Sequence, residues 1–402
     1  MNEHLTTEPV TLPTTRPPGC PFDPPVALAP LREEQPLRPM RYPDGHVGWL
    51  ATGHAVIRAI LADSRFSSRP DLLHLPTARQ AFDGPLPPVP PGMFNNLDAP
   101  DHTRYRSLLT GKFTVRRMRQ LTARVEEVTA EHLDAMERKG PDADLVTAYA
   151  QPIPALLICE LLGAPYADRD FFLEHTATFN DQNATAEQQM TSFSAIGGFL
   201  HDLVLAKRAA PTDDLLSDLT GSDLTDEELT NVGLLLLGAG LDTTANMIAL
   251  GTFALLTNPD QIDLLRADPD RAVEELLRYL SIAHTGARSA LEDVELNGRL
   301  IRAGDTVTFS VEAANRDPAK FPNPDVLDLG RHATGHVAFG HGIHQCLGQQ
   351  LARVEMRVAL PTLFERYPTL QLAVAPEDVP LRTEVDILGV QRLPVTWQEV
   401  AR

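Results

Sequence analysis

The longest regular pattern in the chain is an apolar run that begins behind Asp226-Glu227-Glu228 and continues to about Thr257. As a helix it spans about 48 Å at ~1.5 Å per residue. Its centre, Leu234 to Leu256, is apolar enough to raise a membrane-crossing reading. Yet Asp242, Thr243, Thr244 and Asn246 stand in the middle of it, where polar groups are costly in lipid. The acidic start also lacks a basic flank. A core helix accounts for the pattern better.

Shorter patterns flank this run. Gly48-Trp49-Leu50-Ala51-Thr52 reads as a strand and His54 to Leu61 as a short helix. Residues 115–210 carry helical periodicity, broken at points such as Gly140-Pro141. The polar segment Asn180 to Thr191 is read as a mobile lid. Residues 259–282 hold two shorter helices, Val294–Gly298 and Thr306–Ser310 a hairpin and a strand, and Gly389–Trp397 a last hairpin. Beyond Leu347 the apolar residues fall at Leu351, Val354 and Val358, which is helical spacing, and Pro361 is expected to bend or end that helix. The fold class is mainly α with a small β-rich portion. Residues 1–40, rich in proline and threonine, are set apart as a segment wrapping loosely over a surface, and 41–402 are read as a single domain. No internal repeat is evident.

Composition narrows the class. With 43% hydrophobic residues in 402 the chain can bury a sizeable core. A net charge of −19 argues against nucleic acid or an anionic membrane as general partners. Three cysteines make no disulfide framework, so a reducing, cytoplasmic setting is expected. The N-terminus shows no basic flank followed by an apolar run, so neither a signal peptide nor a membrane anchor is expected.

A lone cysteine is ordinarily a small buried hydrophobe, and Cys20 and Cys159 are read so. Cys346 differs. It sits in Phe339-Gly340-His341-Gly342-Ile343-His344-Gln345-Cys346-Leu347-Gly348, directly ahead of the helical pattern. Unpaired N–H groups and the dipole at a helix start favour the thiolate, the form that binds metals. Gly340, Gly342 and Gly348 let a flat ligand approach the backbone closely.

The spacing Phe-Gly-x-Gly-x-His-x-Cys-x-Gly resembles the haem-ligand loop of the cytochrome P450 family. That resemblance implies a P450-like fold, with the long central helix over a buried haem b. It makes Cys346 the axial thiolate and metal ligand, in a loop shaped by Phe339, Gly340 and Gly348. His102 and Arg106 lie one turn apart behind Asp101, a candidate helix cap. The family uses this pair on a haem propionate, and Arg288 and His344 resemble the donors to the propionates as well. Glu275-Leu276-Leu277-Arg278, with Arg331 downstream, resembles the family's buried Glu-x-x-Arg network. The proline-rich loop 70–95 matches the one that covers the substrate pocket, and Phe94, Ala239, Thr285 and Leu388 are the expected pocket residues.

The resemblance also sets the chemistry. In Ala239-Gly240-Leu241-Asp242-Thr243-Thr244, Gly240 leaves room for oxygen, and Thr243 can bond its own backbone and loosen a turn. Asp242 and Thr243 match the family's proton-delivering acid–alcohol pair. No GxGxxG fingerprint or CxxC cluster appears, so electrons are expected from a ferredoxin and a ferredoxin reductase with NAD(P)H. Arg353, Arg357, Lys112, Arg116 and Arg117 are the candidate basic patch for that partner. The implied activity is a monooxygenase inserting one atom of O2 into a C–H or C=C bond of a small hydrophobic substrate. Macrolide or other polyketide tailoring in antibiotic biosynthesis is the leading substrate reading. Terpenoid, steroid or xenobiotic oxidation is the alternative, and a non-catalytic haem sensor or carrier is a third. Reductant-dependent oxygen uptake separates that third reading from the enzymes.

Overall fold

The computed structural model describes residues 8–17, 20–77, 88–112, 115–180, 184–382 and 387–398. The strands in chain order are β1 (Leu37–Arg41), β2 (Val47–Ala51), β3 (Phe66–Ser67), β4 (Asp142–Asp144), β5 (Thr285–Ala290), β6 (Val294–Leu296), β7 (Arg299–Ile301), β8 (Thr306–Ser310), β9 (Gln371–Leu372) and β10 (Pro394–Thr396). The helices are α1 (Leu28–Glu34), α2 (His54–Ala62), α3 (Asp101–Thr110), α4 (Val115–Lys139), α5 (Pro152–Leu162), α6 (Arg169–Asn180), α7 (Ala186–Ala209), α8 (Leu215–Thr220), α9 (Asp226–Thr257), α10 (Ile262–Ala267), α11 (Pro269–Leu280), α12 (Val311–Asn315) and α13 (Gln349–Arg366). Helix dominates and the sheets are small. The chain divides into two compact units, one of Met1–Val89, Asn95–Asp98 and Glu274–Cys346, the other of Pro90–Phe94, Ala99–Val273 and Leu347–Arg402.

The first unit is built on a five-stranded sheet in the order β1-β2-β8-β5-β3. β1 and β2 form an antiparallel hairpin with Leu37 opposite Ala51, and β2 joins β8 in parallel. Gly286 of β5 lies opposite Phe309 of β8, and a Cβ there would stand 2.4 Å from the Phe309 ring. Val56, Ile57, Ile60 and Leu61 of α2 bury their apolar face in a core with Ala290, Val307 and Phe309. Burial of each such side chain stabilises by about 1.5–3 kcal/mol.

The expected break at residue 40 falls inside β1, and the stretch before it is fastened. Val10 bridges Met40, Arg16 Nη2 donates to Glu312 Oε2 at 2.8 Å, and Arg32 Nη1 to the Ala313 carbonyl at 2.9 Å. Proline content signalled irregular backbone; these long-range bonds had no local signal.

The second unit is organised on α9, whose bounds match the apolar run. A capping box sets its start: Thr225 Oγ1 accepts from Glu228 N at 3.2 Å, and Glu228 Oε2 accepts from Thr225 N at 2.7 Å. Asn258-Pro259 closes its far end. Among the described residues α9 alone is long and apolar enough to cross a membrane, and it is mostly buried against α5, α7 and α13.

Three local expectations in this unit are corrected. The lid reading of Asn180–Thr191 overlaps α7, which starts at Ala186 behind a Thr185–Gln188 capping box; residues 181–183 lie outside the described residues. Pro361 neither ends nor interrupts α13. The flanking Leu360, Leu363 and Phe364 are buried, and their packing outweighs the missing backbone bond. The segment Gly389–Trp397 is not a hairpin. Its β10 is the middle strand of β4-β10-β9, paired with Asp142–Asp144 and Gln371–Leu372.

Candidate functional site

The Cys346 loop closes the first unit. Gly340 and Gly342 take left-handed backbone angles, φ +68° and +75°. At Gly342 a Cβ would lie 2.2 Å from the Leu61 carbonyl oxygen at the end of α2, so only glycine fits. Cys346 N–H donates to the Phe339 carbonyl at 2.9 Å and Gln345 N–H to Gly342 at 3.1 Å, which folds the loop back on itself. Cys346 is a half-buried free cysteine three residues before α13, and Phe339 is half-buried with its ring 6.1 Å from His336. Gly348 is the N-cap of α13, with open space where a Cβ would be.

Two expected anion donors belong to the same unit. Arg288, on β5, lies 5.8 Å above the Phe309 ring and donates to the Ala287 carbonyl at 2.7 Å. Burial lowers its proton affinity, and Asp98 pulls the other way without pairing. Among the described residues no carboxylate forms an ion pair with it. A half-buried cation so placed fits an incoming carboxylate. His344 Nε2 lies 3.3 Å from Ser68 Oγ, while Asp98 accepts from Ser68 N at 3.1 Å and from Ser67 Oγ at 2.5 Å. Ser67, Ser68 and Asp98 were missed as supports for His344. Their one local signal was the polar Asn96-Leu97-Asp98 stretch. Thr285 opens β5, half-buried opposite Ser310.

The acid–base network forms in full in this unit. Glu275 and Arg278 have no exposed side-chain surface. Arg278 donates from Nε and Nη2 to the two Glu275 oxygens at 2.7 and 2.8 Å, and Arg331 Nε adds a third bond at 3.0 Å. Asp328 N–H supplies a fourth at 3.1 Å. Arg278 Nη1 donates to the carbonyls of Asn315 and Pro324, both at 2.8 Å.

In the second unit His102 is buried and Arg106 half-buried on α3. Asp101 is the first helical residue rather than the cap, where its charge complements the helix dipole. Phe94 is buried, with its ring 6.3 Å from those of Tyr105 and His102. Of the expected covering loop 70–95, residues 78–87 lie outside the described residues. Its end is anchored: Asn231 Nδ2 donates to Pro91 at 2.8 Å, and a Cβ on Gly92 would stand 2.4 Å from the Glu228 carbonyl oxygen. Glu228 also accepts from Arg104 at 2.5 Å and Tyr105 at 2.6 Å. Burial pushes its carboxyl up, but these bonds overcome that and hold it at about 2.

The middle of α9 carries the acid–alcohol pair. Thr243 Oγ1 donates to the Ala239 carbonyl at 2.7 Å, and Gly238 and Ala239 are exposed between the buried Leu237 and Leu241. Asp242 Oδ1 accepts from Arg382 Nη1 at 2.6 Å and from Asn246 Nδ2 at 3.0 Å. Leu388 is half-buried.

Against Thr244 of α9 lies a residue that sequence reasoning passed over. Glu355 of α13 is fully buried, and burial pushes its carboxyl up to about 8, against a hydrogen bond from Thr244 that pulls down. Folded Glu355 therefore keeps a proton that the unfolded chain loses near its ordinary value. Stability falls as pH rises from about 4.5 to about 8 and then levels. At ~1.4 kcal/mol per pH unit this amounts to on the order of 5 kcal/mol. Urea unfolding across that window is expected to show the slope, and Glu355→Gln to flatten it. An equal slope in the variant removes Glu355 as its source.

Two of the five cations in the proposed basic patch are paired with carboxylates. Arg117 pairs with Asp218 at 2.9 Å and Asp213 at 3.6 Å, and Arg357 pairs with Asp270. Arg353 donates to Gln349. The Arg116 side chain lies outside the described residues.

Comparison with known proteins adds a family. Residues 269–393 match the family described as Cytochrome P450. Cytochrome P450 105C1 of a Streptomyces species is 47% identical over 382 residues, 94% of this chain and 96% of that protein. Pentalenic acid synthase of Streptomyces avermitilis is 45% identical over 397 residues, 97% of this chain and 98% of that protein. The crystal structure of CYP105P1 in complex with filipin I superposes with a TM-score of 0.88 at 40% identity, covering 98% of this chain and 100% of that one.

Proposed function

The chain belongs to the cytochrome P450 family, and we propose that it hydroxylates or epoxidises a macrolide or other polyketide, with Cys346 as the thiolate ligand of its haem. As a P450 it is an oxidoreductase of the monooxygenase type, and the family uses haem b held by a cysteine thiolate. The observation that carries the reading is the acid–alcohol pair in the middle of α9, where Thr243, its Oγ1 donating to the Ala239 carbonyl, stands beside Asp242. A carrier or sensor has no use for an acid and an alcohol there.

Haem b, when bound, supplies oxygen activation. This chain's residues supply the rest. Cys346 Sγ holds the iron, and Arg288, His344, His102 and Arg106 hold the two propionates by charge-assisted bonds. Asp242 takes a proton from solvent water and passes it to a water held by Thr243 Oγ1. Phe94, Ala239, Thr285 and Leu388 bound the substrate. Electrons come from a ferredoxin and its NAD(P)H-dependent reductase, and the protein works in the cytoplasm. Filipin I, a macrolide bound by a structurally similar protein, supports the substrate class. A second reading is terpenoid, steroid or xenobiotic oxidation, and the relative that makes pentalenic acid favours it.

Two measurements test this. A spin-shift titration against macrolides and terpenoids is expected to rank filipin-type macrolides first; a terpenoid ranked first reverses the substrate assignment. Thr243→Ala is expected to keep haem content and substrate affinity while lowering product per NAD(P)H about tenfold, with peroxide rising. Parental coupling in that variant moves the proton route elsewhere.

A further inference from the structure

The C-terminal part of the second unit reaches the Asp242 carboxylate through a contact that no family motif names. Pro380 to Arg382 and Gly389 to Gln391 pair as two short extended segments. Leu381 bridges Val390, Arg382 N–H donates to the Gly389 carbonyl at 2.9 Å, and Gln391 N–H to the Pro380 carbonyl at 2.7 Å. From this frame Arg382 Nη1 donates to Asp242 Oδ1 at 2.6 Å, with the side chains only 15% and 20% exposed. Asn246 Nδ2 donates to the same oxygen at 3.0 Å and to the Asp242 carbonyl at 2.8 Å. Gly389 stands directly against that amide: a Cβ there would fall 1.7 Å from Asn246 Oδ1.

We propose that Arg382 is a positioning residue for Asp242, and that Gly389 is required because it leaves Asn246 room to complete the clamp. Two donors on Oδ1 stop the carboxylate from rotating, since turning it breaks a charge-assisted bond and a neutral one together. Oδ2 has no bond among the described residues and is left for the relay. A proton arrives there from water, leaves to the water held by Thr243, and the carboxylate is regenerated. A side chain at 389 would push the Asn246 amide off and crowd Arg382 too, since the added Cβ would stand 3.0 Å from Arg382 Cδ. The inference rests on the proton role given to Asp242 above.

The experiment uses holoenzyme with a plant-type ferredoxin, its reductase and NADPH, and dioxygen as the probe. Arg382→Gln is expected to slow oxygen consumption at least about tenfold and to raise its solvent deuterium isotope effect. Arg382→Lys is expected to recover most of the rate, and Gly389→Ala to reproduce the defect without removing a charge. Asp242→Asn combined with Arg382→Gln is expected to be no slower than Asp242→Asn alone. Haem content and the reduced-CO band are matched first. Should Arg382→Gln lose haem, Gly389→Ala and Arg382→Lys carry the test. A thermal unfolding cycle reads the contact without turnover: the double variant should melt no lower than the worse single one. Parental rate and isotope effect in Arg382→Gln, beside a slow Asp242→Asn, overturn the clamp alone. An Asp242→Asn of parental rate overturns the relay, and the clamp with it. Losses that multiply in the double variant also overturn the clamp.

Discussion

Cys346→Ala is expected to abolish the strongly red-shifted Soret band of the reduced CO complex and to strip most of the haem. That band requires a thiolate on the iron, and the rest of the chain offers no substitute. Cys159 is buried in α5, and burial drives its thiol well above the ordinary range, so it stays protonated. Cys20 is pushed up as well, by burial first and by Asp23 beside it. Neither is a ready thiolate, whereas Cys346 sits three residues before α13 in a loop folded on Phe339 and Gly342. Cys346→His should bind iron through nitrogen and lose the band too. A Cys346→Ala protein that kept it would assign the ligand to another residue.

Breaking the Glu275–Arg278 pair is expected to be the most destabilising single change away from the cysteine. Glu275→Ala leaves the Arg278 guanidinium with three carbonyl bonds, no exposed surface and no counter-charge. Stranding one partner of a buried pair costs about 3–5 kcal/mol. Arg331, 11% exposed, loses its acid at the same time, as does Asp328 N–H. Arg278→Leu should cost less, because Glu275 retains Arg331 and the Asp328 amide. Urea unfolding of the holoprotein measures both. A loss below about 1 kcal/mol for Glu275→Ala would put the pair among weak surface contacts.

The elements written in local pattern were legible in the sequence. α9 was bounded at Asp226 and Thr257 by an apolar run behind three acids, and Thr225 with Glu228 sets that start within one turn. The two shorter helices behind it, the β2–α2 pair and the loop before α13 are also encoded over short stretches, where periodicity and glycine placement act directly. Glu275 and Arg278 are one helical turn apart, so their partnership was visible as well.

What only the tertiary structure decided lies between positions far apart in the chain. β10 looked like half of a local hairpin, yet strand pairing is settled by whichever edge the packed chain presents, here Asp142–Asp144. The basic patch gathered five charges from two stretches of the chain; Asp213, Asp218 and Asp270, brought near by folding, pair with two of them. Glu355 looked like an ordinary helical glutamate until α9 and α13 closed over it and removed the water that would ionise it. Asp242 was recognisable from its neighbours Thr243 and Gly240, but Arg382 stands 140 residues away. Periodicity reports which face of an element is buried. Which charge meets which is fixed by packing, because Coulomb and hydrogen-bond energies depend on distance in space and carry no trace of distance along the chain.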